Sequence, residues 1–179
     1  MKFLLCIFSL LSTLMITSVN ENQFINVFEQ PQVIELTATF NKSACNNKAY
    51  VAIDLPKNAT GFIYSISPIG KKDSEVVENR LINKVNKLSK KHEANKIADY
   101  ILPGKSNKSF NLYFMQESKN VQSFFNCGCY KYVEKHIRTK MRTGYVESIN
   151  NEEPFYIGIE KIKDLKRLNL KLEVVAVVR

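Results

Sequence analysis

The segment Leu168-Asn169-Leu170-Lys171-Leu172-Glu173-Val174-Val175-Ala176-Val177-Val178 closes the chain and carries its clearest pattern. Leu170, Leu172, Val174, Ala176 and Val178 recur at every second residue, the spacing that puts side chains on one face of an extended strand. Val175 and Val177 make the second face apolar too, as expected of a strand covered on both sides. The final strand is therefore expected at the centre of a sheet.

The same alternation recurs upstream. Phe155, Ile157 and Ile159 share one strand face, and Ile34, Leu36, Ala38 and Phe40 alternate with Glu35, Thr37 and Thr39. Tyr50 to Leu55 is more continuously apolar. Pro56 to Gly61 gives a turn, and Phe62, Tyr64 and Ile66 resume the alternation up to Pro68 and Gly70. Strand signals return with Phe110, Leu112 and Phe114, and Ser123 to Tyr132 is aromatic and carries a pair of cysteines. The stretch from Lys131 to Arg142 reads equally as strand or helix, since Val133, Ile137 and Met141 share a face in both, with Gly144 expected to end it. One segment breaks the rhythm. Val77, Leu81, Val85, Leu88 and His92 fall on one helical face, Asp73 or Ser74 can cap the start, and Pro103-Gly104 stops it. Polar residues from Ser89 to Asn95 leave one helix or two open. The expected fold is mainly β, an antiparallel, jelly-roll-like β-sandwich of about seven to nine strands with a helical insertion at about 74–102.

Tyr156-Ile157-Gly158-Ile159-Glu160, the run from Leu168 to Val177, and Tyr50-Val51-Ala52-Ile53-Asp54-Leu55-Pro56 resemble secreted bacterial β-sandwich domains of the pre-peptidase C-terminal type. The resemblance implies an antiparallel sandwich accessory to secreted enzymes or used for carbohydrate or surface contact, with no catalytic set to carry over. The helical stretch from Ser74 to Leu102 departs from it, as does the lack of an attached enzyme.

Lys2, the apolar run from Phe3 to Ile16 and the small or polar Thr17 to Asn20 follow the order of a secretory signal. The run is shorter than the roughly 20 residues that cross a bilayer core. Residues 1–20 are thus expected to be a signal peptide cleaved near Ser18, leaving 21–179 as a single domain without a transmembrane segment, secreted, periplasmic or at the cell surface. Cys6 would leave with the signal. Of the three remaining cysteines, Cys45 is expected to bond Cys127 or Cys129, closing a loop of about 80 residues and contributing roughly 4 to 5 kcal/mol, with a strained bond between Cys127 and Cys129 as the alternative. One thiol is then left over. A redox role for Cys127-Gly128-Cys129 lacks a surrounding βαβ pattern, and zinc on Cys127, Cys129 and His136 lacks a fourth ligand. No cofactor or metal is expected.

The net charge of +9 favours anionic surfaces. Arg80, Lys84, Lys87 and Lys91 form a basic stripe beside the apolar helical face. On a strand reading, His136, Arg138, Lys140 and Arg142 form a ladder with Tyr130 and Tyr132 that suits phosphate or carboxylate groups. Basic residues among aromatics usually suggest nucleic acid, which an export signal argues against. A solvated surface is the plain alternative for both basic groups. Catalytic candidates are thin: Asp54, Asp99, Glu152 and Glu153 are scattered, and His92 and His136 lack a nucleophile motif. The expectation is an exported non-catalytic binding or structural module contacting anionic or carbohydrate surfaces or another exported protein. The competing reading is a small secreted hydrolase or thiol-redox enzyme, marked by a pocket gathering two or more of Asp54, His92, Cys129, His136 and Glu153.

Overall fold

The computed structural model describes residues 22–37, 47–69, 80–101, 108–140, 142–147, 153–162 and 167–179. The signal segment, Cys45, the cap residues Asp73 and Ser74, Pro103-Gly104 and Glu152 lie outside the described residues, as do Asn41 and Asn107, each in an Asn-x-Ser/Thr triplet.

Nine strands are described: β1 (Gln23–Asn26), β2 (Gln32–Thr37), β3 (Lys48–Ile53), β4 (Ala59–Pro68), β5 (Phe110–Gln116), β6 (Glu134–Thr139), β7 (Arg142–Glu147), β8 (Phe155–Lys161) and β9 (Arg167–Val178). The helices are α1 (Leu81–Ser89), α2 (Ala94–Ile97), a 3₁₀ turn at Ala98–Tyr100, and α3 (Ser118–Phe125). The first sheet runs β7-β4-β9, with β1 and β2 following one another along the far side of β9. The second runs β3-β8-β5-β6. Every pairing is antiparallel. The chain changes sheet at almost every step, which is the jelly-roll arrangement.

The alternating residues meet between the sheets. Leu36, Phe62, Tyr64, Leu170 and Leu172 from the first pack against Leu112, Phe114, Phe155 and Ile157 from the second. Phe114 stands 4.7 Å from the ring of Tyr64, and Phe62 stands 5.1 Å from Phe155. Each such fully buried side chain contributes about 1.5–3 kcal/mol, and each aromatic pair adds roughly 0.5–1.5 kcal/mol.

β9 is central, with both faces buried as its sequence requires. Val175 and Val177 meet Leu81, Val85, Ile97 and Ala98, so the helical insertion covers the outer face of the first sheet. Two helices form, because Glu93 is extended (φ −64°, ψ 149°) and interrupts the polar stretch. α1 has no capping side chain of its own at Arg80. Glu173 of β9 takes that role: its Oε1 accepts hydrogen bonds from the backbone N–H of Arg80 (2.6 Å) and Leu81 (3.0 Å). A carboxylate there satisfies orphan donors and faces the positive end of the helix dipole. Lys171 Nζ lies 3.0 Å from the other oxygen.

Three details differ from the sequence reading. Within the segment Lys131 to Arg142, Glu134–Thr139 is strand β6 of the second sheet, whereas Arg142 begins β7 of the first. Gly144 does not end it and lies inside β7, because a Cβ there would stand 2.7 Å from the Tyr64 ring. Ser118–Phe125, without a helical expectation, forms α3 by burying Val121 and Phe124, three residues apart.

Replacing Glu173 with Ala strips the cap from α1 and leaves Lys171 half-buried without this carboxylate. Urea unfolding is expected to show a loss of about 2–4 kcal/mol. A change below about 0.5 kcal/mol, the range of ordinary surface substitutions, would contradict the role given to this side chain.

Candidate functional site

Alternation that buries one face of the second sheet turns the other outward. Register aligns Lys48, Glu160 and Asn111 in one row, and Tyr50, Gly158, Tyr113 and Lys135 in the next. α3 covers one end of this face. A Cβ at Gly158 would lie 2.6 Å from Met115 Cε and 3.1 Å from the Phe124 ring, so glycine there lets the helix sit down on the sheet.

The C-terminal end of α3 is closed by Cys127 N–H to Phe124 O (3.3 Å) and Gly128 N–H to Ser123 O (2.8 Å), with Cys127 left-handed at φ 58°. That is a Schellman closure with cysteine in the position glycine usually takes. It turns the chain back across the sheet, where the Lys131 N–H donates to Asn120 Oδ1 at 3.0 Å. Tyr130 is thereby set 5.7 Å from Tyr113 and 5.2 Å from Phe124, with Tyr132 at 6.3 Å from Tyr113. On the other flank Tyr50 makes edge contacts with Phe125 and Tyr156. Lys135 Nζ stands 4.8 Å from the Tyr132 ring centre. Tyr50 (48%), Tyr132 (42%) and Phe125 (45%) remain exposed.

Beside these rings lies a polar group with fixed geometry. Glu160 Oε2 accepts from Asn111 Nδ2 (2.8 Å) and from the Tyr113 hydroxyl (3.0 Å). Asn111 Oδ1 accepts in turn from the Arg138 N–H at 2.9 Å. Burial, and then the Glu160 carboxylate, push the Tyr113 phenol well above its ordinary range and keep it a donor. Asn47, Asn111, Ile137, Arg138 and Glu160 line a cavity of about 450 Å³. Asn47 Oδ1 is buried in that wall without a hydrogen-bond partner.

No protein-family model, curated protein or solved structure matches the chain.

The basic candidates do not form one surface. Arg80, Lys84, Lys87 and Lys91 are exposed on and beside α1, over the first sheet. Arg138 lines the cavity on the second sheet, and Lys140 is exposed where the chain leaves β6. Arg142 is not part of a basic ladder. Its Nε donates to the Tyr64 hydroxyl (3.0 Å), and its Nη2 lies 3.8 Å from Glu134 Oε1. The ladder fails because β6 and β7 enter different sheets and Arg138 is left-handed at φ 51°, in a strand whose register shifts against β5. Alternation in the sequence shows neither break. The aromatic row escaped the sequence reading because its members come from β3, β5, β8 and the segment after α3. The visible signal was the tyrosine pair Tyr130 and Tyr132.

Cys129 is free and exposed, and Cys127 is disulfide-bonded. Lys48 Nζ donates to Phe124 O (2.8 Å) and lies 3.6 Å from Cys127 Sγ. Neither the 450 Å³ cavity nor a second cleft of about 630 Å³, with Thr60, Glu93, Tyr145, Glu147 and Arg179 in its wall, is lined by Asp54, His92, Cys129, His136 or Glu153. His92 stacks on Tyr100 at 3.7 Å, and Asn58 of the remaining Asn-x-Thr triplet is exposed in a turn. Among the described residues no group of three or more His, Cys, Asp or Glu could hold a metal ion, and no helix is long and apolar enough to cross a membrane.

His136 Nε2 lies 2.6 Å from Glu134 Oε1, at the side of the sandwich where β6 and β7 are the edge strands. Burial, followed by Arg142, holds its pKa below the ordinary histidine value, and Glu134 only partly offsets this. The unfolded chain then takes up a proton that the folded chain does not. This contribution to stability is complete above about pH 6.5 and is lost as pH falls through the lowered folded value. Melting temperature is expected to drop between about pH 7 and 5 more steeply in the wild type than in His136→Gln. Equal slopes would contradict it.

Proposed function

We propose that the chain is an exported, non-catalytic glycan-binding module that docks sugar on the outer face of its second sheet. One observation carries this reading: exposed tyrosines stand beside the fixed Glu160–Asn111–Tyr113 group and its cavity. A pyranose ring offers C–H faces that lie against aromatic rings, and hydroxyls that require both donors and acceptors. Tyrosine supplies large contact area at low entropic cost. Both protein hydrogen bonds to Glu160 fall on Oε2, which leaves Oε1 to accept, while Arg138 brings donors to the same wall. Among the described residues Glu160 is the single carboxylate of the cavity wall, whereas glycoside hydrolysis needs two facing carboxylates. The resemblance to pre-peptidase C-terminal domains points the same way, and the apolar run from Phe3 to Ile16 supports export.

In a glycan-binding assay the wild type is expected to retain immobilised polysaccharide. Tyr50→Ala and Tyr132→Ala, both at exposed positions, are expected to weaken binding about 5- to 10-fold, the equivalent of roughly 1–1.4 kcal/mol. Unchanged retention by both variants, or no binding to any polysaccharide, would overturn the reading.

We also propose Cys45 as the partner of Cys127. Cys129 is free, Cys6 leaves with the signal, and Lys48, three residues beyond Cys45, reaches within 3.6 Å of Cys127 Sγ. Three residues span at most about 11 Å, a reach compatible with that bond. Peptide mapping of the non-reduced protein is expected to recover Cys45 linked to Cys127, with Cys129 alkylating freely. Free alkylation of Cys45 would sink this pairing.

A further inference from the structure

We propose that the sugar bound on this face is an N-acetylhexosamine, with its acetamido group seated in the 450 Å³ cavity between Ile137, Arg138 and Glu160. The inference rests on the glycan reading above and names the ligand class of the same site. An acetamido group carries one N–H donor, one carbonyl acceptor and one methyl. The residues of the wall carry the complement of each: Glu160 brings an acceptor, Arg138 a donor-bearing side chain, and Ile137 and Ile162 apolar surface. Ile137 is 53% exposed, and a bound methyl would remove part of that surface from water.

The wall is fixed before any ligand arrives. Arg138 is a non-glycine residue in the left-handed region, held there by Asn111, which also anchors Glu160. Strained backbone of this kind persists where neighbours impose it, and such positions cluster at binding sites.

Other sugars fit the same wall less well. A uronic acid brings no methyl for Ile137 and Ile162, and its carboxylate meets Glu160 as well as the cations Arg138 and Lys161. A free amino sugar would pair with Glu160, yet it places a third cation beside Arg138 and Lys161 in a chain of net charge +9. A plain hydroxyl leaves Ile137 without a partner.

Calorimetric titration of the full chain with tri-N-acetylchitotriose, cellotriose, the chitosan trimer and trigalacturonate separates these cases. The acetylated trimer is expected to bind at least about 10-fold tighter than the other three, the range for one apolar group in a matched pocket. Ile137→Asn, at an exposed position, and Glu160→Gln are expected to reduce that preference. Tyr132→Ala is expected to weaken every ligand alike. Binding of cellotriose or trigalacturonate as tightly as the acetylated trimer would overturn the acetamido assignment while leaving the glycan face standing. Binding of none of the four would overturn both.

Discussion

Burial of β9 on both faces is the constraint from which the rest of the architecture follows. Its inner residues, Leu168 to Val178 at every second position, join the core between the sheets. Val175 and Val177 would put apolar surface into water unless something covered the outer face, and the inserted helices do so. Hydrophobic burial has no direction of its own, so it fixes that a helix lies there but not how it lies. Direction comes from Glu173, the polar residue on that outer face. Its carboxylate, 6% exposed, reaches the first free N–H groups of α1 and ties the start of the helix to the middle of the strand.

An asymmetric sandwich results. With α1 and α2 over the first sheet, the second sheet carries, among the described residues, only the short α3 at one end. Its outward rows therefore carry both contact area and exposed chemistry. Two glycines set the close approaches that make this possible. Gly144 admits the Tyr64 ring between β4 and β7, and Gly158 lets Phe124 seat α3 on the sheet. In both cases what matters is the absent Cβ, since neither glycine has a positive φ.

Much of the fold was legible because period-two alternation is a direct image of burial in a two-layer sandwich. The central position of β9, the strands around Phe62 and Phe155, and the helical face of Leu81, Val85 and Leu88 all follow from spacing. Features that depend on contacts distant in sequence did not. Gly144 resembles a terminator until Tyr64 is placed over it, and α3 is too short for its period to stand out. The division of β6 from β7 changes the meaning of Arg142: its side chain stays partly exposed, but its Nε donates to the buried Tyr64 phenol.

The candidate site was harder to read for a related reason. Charge is additive along a chain and can be counted, so the sequence drew attention to its lysines and arginines. Aromatic platforms are assembled across strands and cannot be counted in this way. Tyr50, Tyr113, Tyr130 and Tyr156 are spread over more than a hundred residues, and the pairing of β3, β8 and β5 together with the turn after α3 brings them together. Net charge governs approach to an anionic surface over a Debye length, about 8 Å at physiological salt. Selection of a ligand is settled at contact, by which acceptors are held still and which rings are uncovered. The structure holds Glu160 and uncovers Tyr50 and Tyr132, so under the glycan-binding proposal selection falls to the tyrosines and one carboxylate, and the surplus of positive charge acts on encounter.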